Sequence, residues 1–201
     1  MSDIRFTLTK GEAGLHSLLH RTQGLDPRAS VRLRPGQDDS IDVFVSTPFE
    51  VLASRRVRGE LNQPGVISIE SALANGGPDI SFTWSGALPP ETGFELLDTI
   101  PVAVVRELAD QGQALARQFA GPLGPPRNLL EQTVLTVSAE QRSVEIPMRL
   151  IFGCTALGFI PGLGAPAAVP RYLRVSQVGR WTRVDAAYGS VYLSRGLPLL
   201  F

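Results

Sequence analysis

The segment Leu88-Pro89-Pro90 constrains the fold more than any other, because two consecutive prolines interrupt helices and central strands alike. Short segments of alternating polarity precede it, and longer helical patterns follow it. A chain of 201 residues is long enough for two small domains. We therefore predict an α+β protein with one domain at 1–90 and a second at 91–201.

The first domain is predicted to be an antiparallel, sheet-rich unit with one early helix. Ile4, Phe6 and Leu8 alternate with polar residues, which is the period of a half-buried strand. Thr9 and Glu12 have the spacing of a capping box, so a helix should begin there. Further strands are expected at 31–34, 41–45, 51–61, 66–69 and 80–84.

The second domain is predicted to be a helical unit that ends in a β-hairpin. Pro101 suits the first position of a helix, and Asp98 or Thr99 is the expected cap. We expect helices at 101–119, 127–135 and 147–157; residues 128–137 form either a short helix or a helix that runs into a strand. A hairpin is expected within 171–195, and an apolar tail at 197–201 should dock. This order resembles a winged helix, although the third helix offers few polar side chains for reading bases.

The predicted hairpin carries a concentration of arginines, with Asp185 as its sole acid. Arginine binds phosphate, and an aromatic ring such as Trp181 can stack on a base. The candidate nucleic-acid-binding residues are Arg171, Arg174, Arg180, Trp181 and Arg183; Arg195 is the fifth arginine of the segment. The alternative is a hairpin whose arginines face solvent while its valines pack inward.

The formal net charge of zero conceals an uneven distribution along the chain. Residues 1–100 contain nine basic and thirteen acidic side chains, whereas residues 101–201 contain ten basic and six acidic ones. The halves therefore carry −4 and +4. Such asymmetry can mark a half that binds DNA or RNA, but a region of +4 is also common in proteins that bind no polyanion. The opposite charges could instead pair within one chain or within a homodimer.

Neither histidine nor cysteine forms a recognisable catalytic or metal-binding pattern. His16 and His20 are four residues apart on the predicted helix, but Ser17 follows the first histidine where a zinc protease has its glutamate. No third ligand is evident, so no metal site is predicted. Cys154 lies among apolar residues and is expected to fill the core.

Glycine-rich cofactor motifs are also lacking in a usable context. The segment 162–167 imitates the start of a dinucleotide fingerprint, but Pro161 and Pro166 exclude the strand–turn–helix that the motif requires. Lys10 is the sole lysine and has no phosphate-loop neighbours. We therefore predict a loop at 159–170, no cofactor and a non-catalytic binding or regulatory protein.

The sequence predicts a cytoplasmic protein without a membrane span. The first residues show no basic and apolar leader pattern, and glycines and prolines interrupt the most apolar stretch, 150–170. A single cysteine excludes an internal disulfide and is typical of a reducing compartment.

Two short motifs carry a resemblance to other proteins. Gly-Arg-Trp at 179–181 and Tyr-Gly-Ser-Val-Tyr at 188–192, within the segment 121–193, resemble uncharacterised proteins of actinobacteria. The resemblance implies a bacterial cytoplasmic protein and adds no mechanism.

Overall fold

The structure is a computed structural model that describes residues 3–119, 126–140 and 142–195. The chain divides into two compact units, residues 1–88 and 89–201. The apolar tail that was predicted to dock, 197–201, lies outside the described residues. Among the described residues, no helix is both long enough and apolar enough to cross a membrane.

The first unit consists mainly of an antiparallel sheet. Its strands are β1 (Asp3–Lys10), β2 (Ser30–Pro35), β3 (Ser40–Ser46), β4 (Leu52–Leu61), β5 (Gly65–Ser68) and β6 (Gly76–Pro78), and its helices are α1 (Glu12–Leu25) and α2 (Ile69–Leu73). The strand order is β5-β2-β3-β4-β1, and β6 pairs with the other edge of β1.

Helix α1 contributes Leu15, Leu18 and Leu19 to the core of this unit, where they are fully or almost fully buried. The predicted capping box is wrong. The helix begins after Gly11, which has a φ of 91° and provides no side-chain cap, so neither Thr9 nor Glu12 closes the turn. Glycine adopts this left-handed conformation without the steric cost that a side chain would bring.

The strand predicted at 80–84 is also wrong, because residues 81–83 form a short 3-10 helix. The side chain of Asp79 causes the turn. Its carboxylate accepts hydrogen bonds from the backbone N–H of Ser81 at 2.9 Å and from the Ser81 hydroxyl at 2.6 Å. Such aspartate turns compete locally with extended backbone.

In its described part, the second unit combines a four-stranded sheet with a separate hairpin and three helices. In chain order its elements are β7 (Glu95–Pro101), α3 (Val102–Phe119), α4 (Arg127–Glu131), β8 (Thr133–Ala139), β9 (Arg142–Pro147), α5 (Met148–Ala156), β10 (Tyr172–Val178), β11 (Trp181–Ala186) and β12 (Gly189–Ser194). The antiparallel sheet has the order β7-β10-β11-β12, and β8 pairs with β9.

The predicted winged-helix order, with a helical C-terminal unit, is therefore wrong. Within the described part of the second unit, six of the nine elements are strands. Residues 98 and 99, predicted to cap a helix, lie in strand β7 and pair with β10. In this edge strand the buried residues Leu97 and Ile100 are three positions apart. The strand therefore lacks the strict alternation of buried and exposed residues that predicts a strand from sequence.

Helix α5 forms the centre of the second unit and packs against α3. Its residues from Met148 to Cys154 are all buried. A Cβ at Gly112 of α3 would lie 2.7 Å from the sulfur of Met148 and 2.9 Å from the ring of Phe152. The missing side chain thus lets the two helices approach closely.

Candidate interaction surfaces

The predicted basic hairpin is a three-stranded antiparallel sheet in which the arginines have different environments. In β11, Trp181 is only 7% exposed and pairs with Val178 of β10 and Ser194 of β12. A base cannot stack on an indole that is covered in this way. Val175, Val184 and Val191 are buried, as the solvent-face alternative predicted.

Three of the five arginines are engaged in internal contacts. Arg183 forms an ion pair with Asp185 at 3.0 Å, and its guanidinium carbon lies 4.3 Å from the centroid of the Phe94 ring. Arg195 lies 3.9 Å from the carboxylate of Glu145. Arg171 donates hydrogen bonds to backbone carbonyls of a neighbouring loop.

Arg174 and Arg180 are the members of the predicted nucleic-acid site that are exposed and take no part in such internal contacts. Arg174 lies on β10, opposite Asp185 of β11, and Arg180 lies in the turn between these strands. In the part of the chain that the structure describes, neither side chain forms a hydrogen bond or an ion pair. The hairpin therefore offers two available guanidinium groups rather than the four that were predicted.

A loop of unusual composition lies directly before this hairpin. Residues 162–170 contain only glycine, alanine, proline, leucine and valine, and we call them the apolar loop. Arg171 donates to the carbonyl oxygens of Gly162 and Ala165, each at 2.8 Å. Arg106 of α3 donates to the carbonyl oxygen of Pro161. Two guanidinium groups thus fix the backbone of a segment that has no polar side chain of its own.

The apolar loop is held open to solvent instead of folding onto the core. Leu163 at its tip is 85% exposed, and Tyr172, at the start of β10, is 47% exposed. Single exposed apolar residues are common, but a stretch of nine apolar residues with most of them exposed is not. An ordered, exposed apolar segment is typical of a protein-binding surface.

The charge asymmetry predicted between the halves nearly disappears when charges are counted by structural unit. Residues 1–88 contain nine basic and ten acidic side chains, and residues 89–201 contain ten basic and nine acidic ones. The units therefore carry −1 and +1. The larger difference arose because Glu91, Glu95 and Asp98 were counted with the first half although they belong to the second unit.

The sheet of the first unit carries a basic cluster that was not predicted from the sequence. The carboxylate of Asp42 on β3 accepts hydrogen bonds from Arg56 on β4, at 2.6 and 3.0 Å, and from Arg34 on β2, at 3.1 Å. Burial raises the pKa of this carboxyl, but the two guanidinium groups lower it by more, so the pKa lies below its ordinary value.

Two further cations flank this cluster where β1 and β4 pair. Lys10 lies opposite Arg58 across the two strands, and both side chains are exposed. Alternation of arginine with apolar residues at 31–34 and 55–58 was the available sequence signal. It predicts arginines on one face of a sheet, but it does not reveal which of them meet.

The histidine pair and the cysteine show no catalytic arrangement. The rings of His16 and His20 are 6.4 Å apart in an edge-to-face contact. Within the described residues, no group of three or more histidine, cysteine or acidic side chains is placed to hold a metal ion. Burial, with a smaller effect of the Asp185 charge, raises the pKa of the Cys154 thiol to about 12, which keeps it protonated and unreactive.

The fold is similar to that of solved sliding-clamp structures. A putative DNA polymerase III beta subunit from Eubacterium rectale has a TM-score of 0.55 and 8% identity, and the match covers 100% of this chain and 67% of that one. The clamp of Pseudomonas aeruginosa bound to griselimycin gives 0.52 and 11%, with 99% and 67% covered. The clamp of Bacillus subtilis gives 0.53 and 14%, with 98% and 66% covered.

At these identities the structural similarity to the clamps shows the fold alone. This chain spans about two thirds of the length of each clamp. The chain belongs to the family described as "Domain of unknown function (DUF8185)", which matches residues 89–198. A second family, "Domain of unknown function (DUF8010)", matches residues 1–77. Membership in an uncharacterised family is thus confirmed, whereas the actinobacterial source stays a prediction. No curated protein matches the sequence.

Proposed function

We propose that this protein is a non-catalytic binding protein on a sliding-clamp fold, and that it contacts a partner protein through the apolar loop. The observation that carries the proposal is the exposure of Leu163 on a backbone fixed by Arg171 and Arg106. Ordering a loop costs conformational entropy, and here that cost is met before a partner arrives. A preorganised apolar projection suits insertion into a pocket of another protein.

The charges beside the loop favour a different protein over a second copy of this chain. Arg171 and Arg174 follow the loop directly, and both are exposed. In a two-fold contact centred on the loop, these cations would face their own copies, which is unfavourable. A partner with an apolar pocket and carboxylates at its rim would satisfy both the leucine and the arginines.

A photo-crosslinking amino acid at position 163, introduced into the protein in its own cells, tests this proposal. The matched control is position 82, because Phe82 is 81% exposed and lies in the other unit. We expect an adduct of one defined mass at 163, none at 82, and loss of the adduct on Arg171→Ala. Equal adducts at both positions, or none at 163, would overturn the proposal. An adduct with the mass of two copies would assign the loop to a homo-oligomer instead.

DNA is a second candidate partner, supported by the exposed Arg174 and Arg180 together with the likeness to DNA polymerase clamps. Two phosphate contacts predict a weak interaction whose log affinity falls with log salt at a slope of about −1.8. Fluorescence anisotropy with a labelled duplex measures that slope. The double variant Arg174→Ala/Arg180→Ala should abolish this salt-dependent binding. An unchanged slope in the double variant would eliminate the hairpin as the DNA contact.

The cytoplasmic location stays a prediction from the sequence.

A further inference from the structure

The first unit contains a cleft of about 350 Å³. It lies where β1 ends, beside β4 and the turn between β2 and β3. Its lining residues are Lys10, Gly11, Gln37, Asp38, Ser40, Arg56, Val57 and Arg58. We call it the Lys10 cleft, after the sole lysine of the protein.

The arrangement of Lys10 and Arg58 places two like charges next to each other, which is electrostatically unfavourable. The two residues are direct partners across antiparallel strands, and like charges in that position repel each other. Within the described residues, neither side chain forms a hydrogen bond or an ion pair. Arg56 lies two residues before Arg58 on the same strand, so its side chain emerges on the same face of the sheet.

Two carboxylates of this region, Asp42 and Asp38, form no ion pair with Lys10 or Arg58. Asp42 is 6% exposed and already accepts hydrogen bonds from Arg56 and Arg34. Among the described lining residues, Asp38 is the sole acid, against three cations. Arg56 is compensated by Asp42, so Lys10 and Arg58 outnumber the one remaining carboxylate of the lining, and the cleft carries a net positive charge.

The wall of the cleft opposite the strands is fixed by hydrogen bonds. The backbone N–H of Gly59 on β4 donates to the carbonyl oxygen of Asp39 at 2.8 Å. The hydroxyl of Ser40 donates to the carbonyl oxygen of Gln37 at 2.5 Å. These bonds hold the turn against β4, so the cleft exists before any ligand enters it.

We propose that the Lys10 cleft binds a phosphate group. Arg58 offers a planar fork of N–H donors that matches two phosphate oxygens, and the ammonium of Lys10 supplies a compact charge beside it. A bound dianion would convert the repulsion between these residues into two attractions. The group belongs either to a nucleic-acid backbone or to a free phosphate or phosphate monoester, and both sources share this chemistry.

Thermal unfolding with inorganic phosphate as the probe tests the site. Phosphate should raise the Tm of the natural protein in a saturable manner, because a ligand of the folded state stabilises it. Sodium chloride at the same ionic strength should not reproduce the effect. Lys10→Met or Arg58→Met should weaken the apparent phosphate affinity about tenfold or more. Arg28→Met, at an exposed arginine of the same unit, is the matched control and should change nothing.

The Tm of the Lys10→Met and Arg58→Met variants in phosphate-free buffer provides a second test. Both side chains are exposed, so the variants should fold, and removal of either charge should leave the Tm unchanged or raise it because the repulsion is lost. Equal phosphate effects in all four proteins, or none in the natural protein, would overturn the proposal.

A short DNA duplex distinguishes the two sources of phosphate. If the duplex displaces phosphate and Arg58→Met weakens both ligands alike, the cleft binds nucleic-acid backbone. If phosphate binds and the duplex does not compete, the site accepts a free phosphate group. Either result supports a phosphate site, and neither depends on the partner proposed for the apolar loop.

Discussion

Arginines on the sheet of the first unit and arginines in the C-terminal hairpin of the second unit have different roles. In the hairpin, Arg183 pairs with Asp185 and lies over Phe94, and Arg171 binds loop carbonyls. In the first unit, Asp42 engages Arg34 and Arg56, but Lys10 and Arg58 remain opposite each other at the surface.

This difference shows that charge counted along a sequence does not reveal which charges are available. The segment richest in arginine uses most of them to hold its own structure together. The half that appeared acidic contains the cleft with an excess of cations. Availability depends on strand register and on local acceptors, which join residues far apart in the chain.

The largest expected effect comes from removing the carboxylate that organises the first cluster. Asp42→Ala removes the buried carboxylate that Arg34 and Arg56 share, so we expect a loss of about 3 kcal/mol in the free energy of unfolding. Urea denaturation measures this loss. Glu60→Ala, at an exposed carboxylate of the same strand as Arg56, should change stability by less than about 0.5 kcal/mol. Similar losses in both variants would contradict the role given to Asp42.

The same carboxylate should make stability depend on pH. Its pKa is lower in the folded protein than its ordinary value of 3.8, so its contribution is complete above that value and disappears as the pH falls through the lowered pKa. Asp42→Asn should therefore lose less stability than the natural protein over this acidic range. Parallel pH profiles for the two proteins would show that the ion pairs contribute nothing.

Loss of the Arg171 side chain should have a moderate effect that is concentrated in the apolar loop. Arg171→Ala removes the donors to Gly162 and Ala165, so we expect about 1 kcal/mol of destabilisation and faster proteolysis within 162–170. Limited proteolysis followed by mass spectrometry locates the cleavage. Arg174→Ala serves as the control, and a cleavage rate equal to that of the control would exclude a role for Arg171 in ordering the loop.

The smallest expected difference in stability is between variants of an engaged arginine and of an exposed arginine in the hairpin. Arg183→Ala loses its contacts with Asp185 and Phe94, which we expect to cost about 1 kcal/mol. Arg180→Ala should cost less than about 0.5 kcal/mol, because the side chain is exposed and without a partner among the described residues. A larger loss of stability in Arg180→Ala than in Arg183→Ala would contradict the roles given to these two arginines.

The sequence predicted those parts of the fold that depend on local patterns. The strand alternation at Ile4 and Phe6 and the leucine stripe of α1 lie where the structure has β1 and a buried helix face. The edge strand β7 was missed because Asp98 and Thr99 have the composition of a helix cap. Its pairing with β10 involves residues more than seventy positions away, which no local pattern contains.

The candidate surfaces were predictable to different degrees. Pro161 and Pro166 indicated a loop, but only the structure shows that Arg171 and Arg106 fix it with Leu163 exposed. The Lys10 cleft was not predictable, because Lys10 meets Arg58 only through strand register. The aromatic contribution predicted for Trp181 was lost because the indole packs inside the sheet.

Chemical modification of arginines, followed residue by residue by mass spectrometry, compares the two basic regions in a single experiment. An arginine-specific dicarbonyl reagent should modify Arg58, Arg174 and Arg180 rapidly, and Arg34 and Arg183 slowly. Inorganic phosphate should then slow the modification of Arg58 while leaving Arg174 and Arg180 unchanged. If Arg183 reacts as fast as Arg180, or if phosphate protects the hairpin arginines and not Arg58, the division of roles between the two basic regions is wrong.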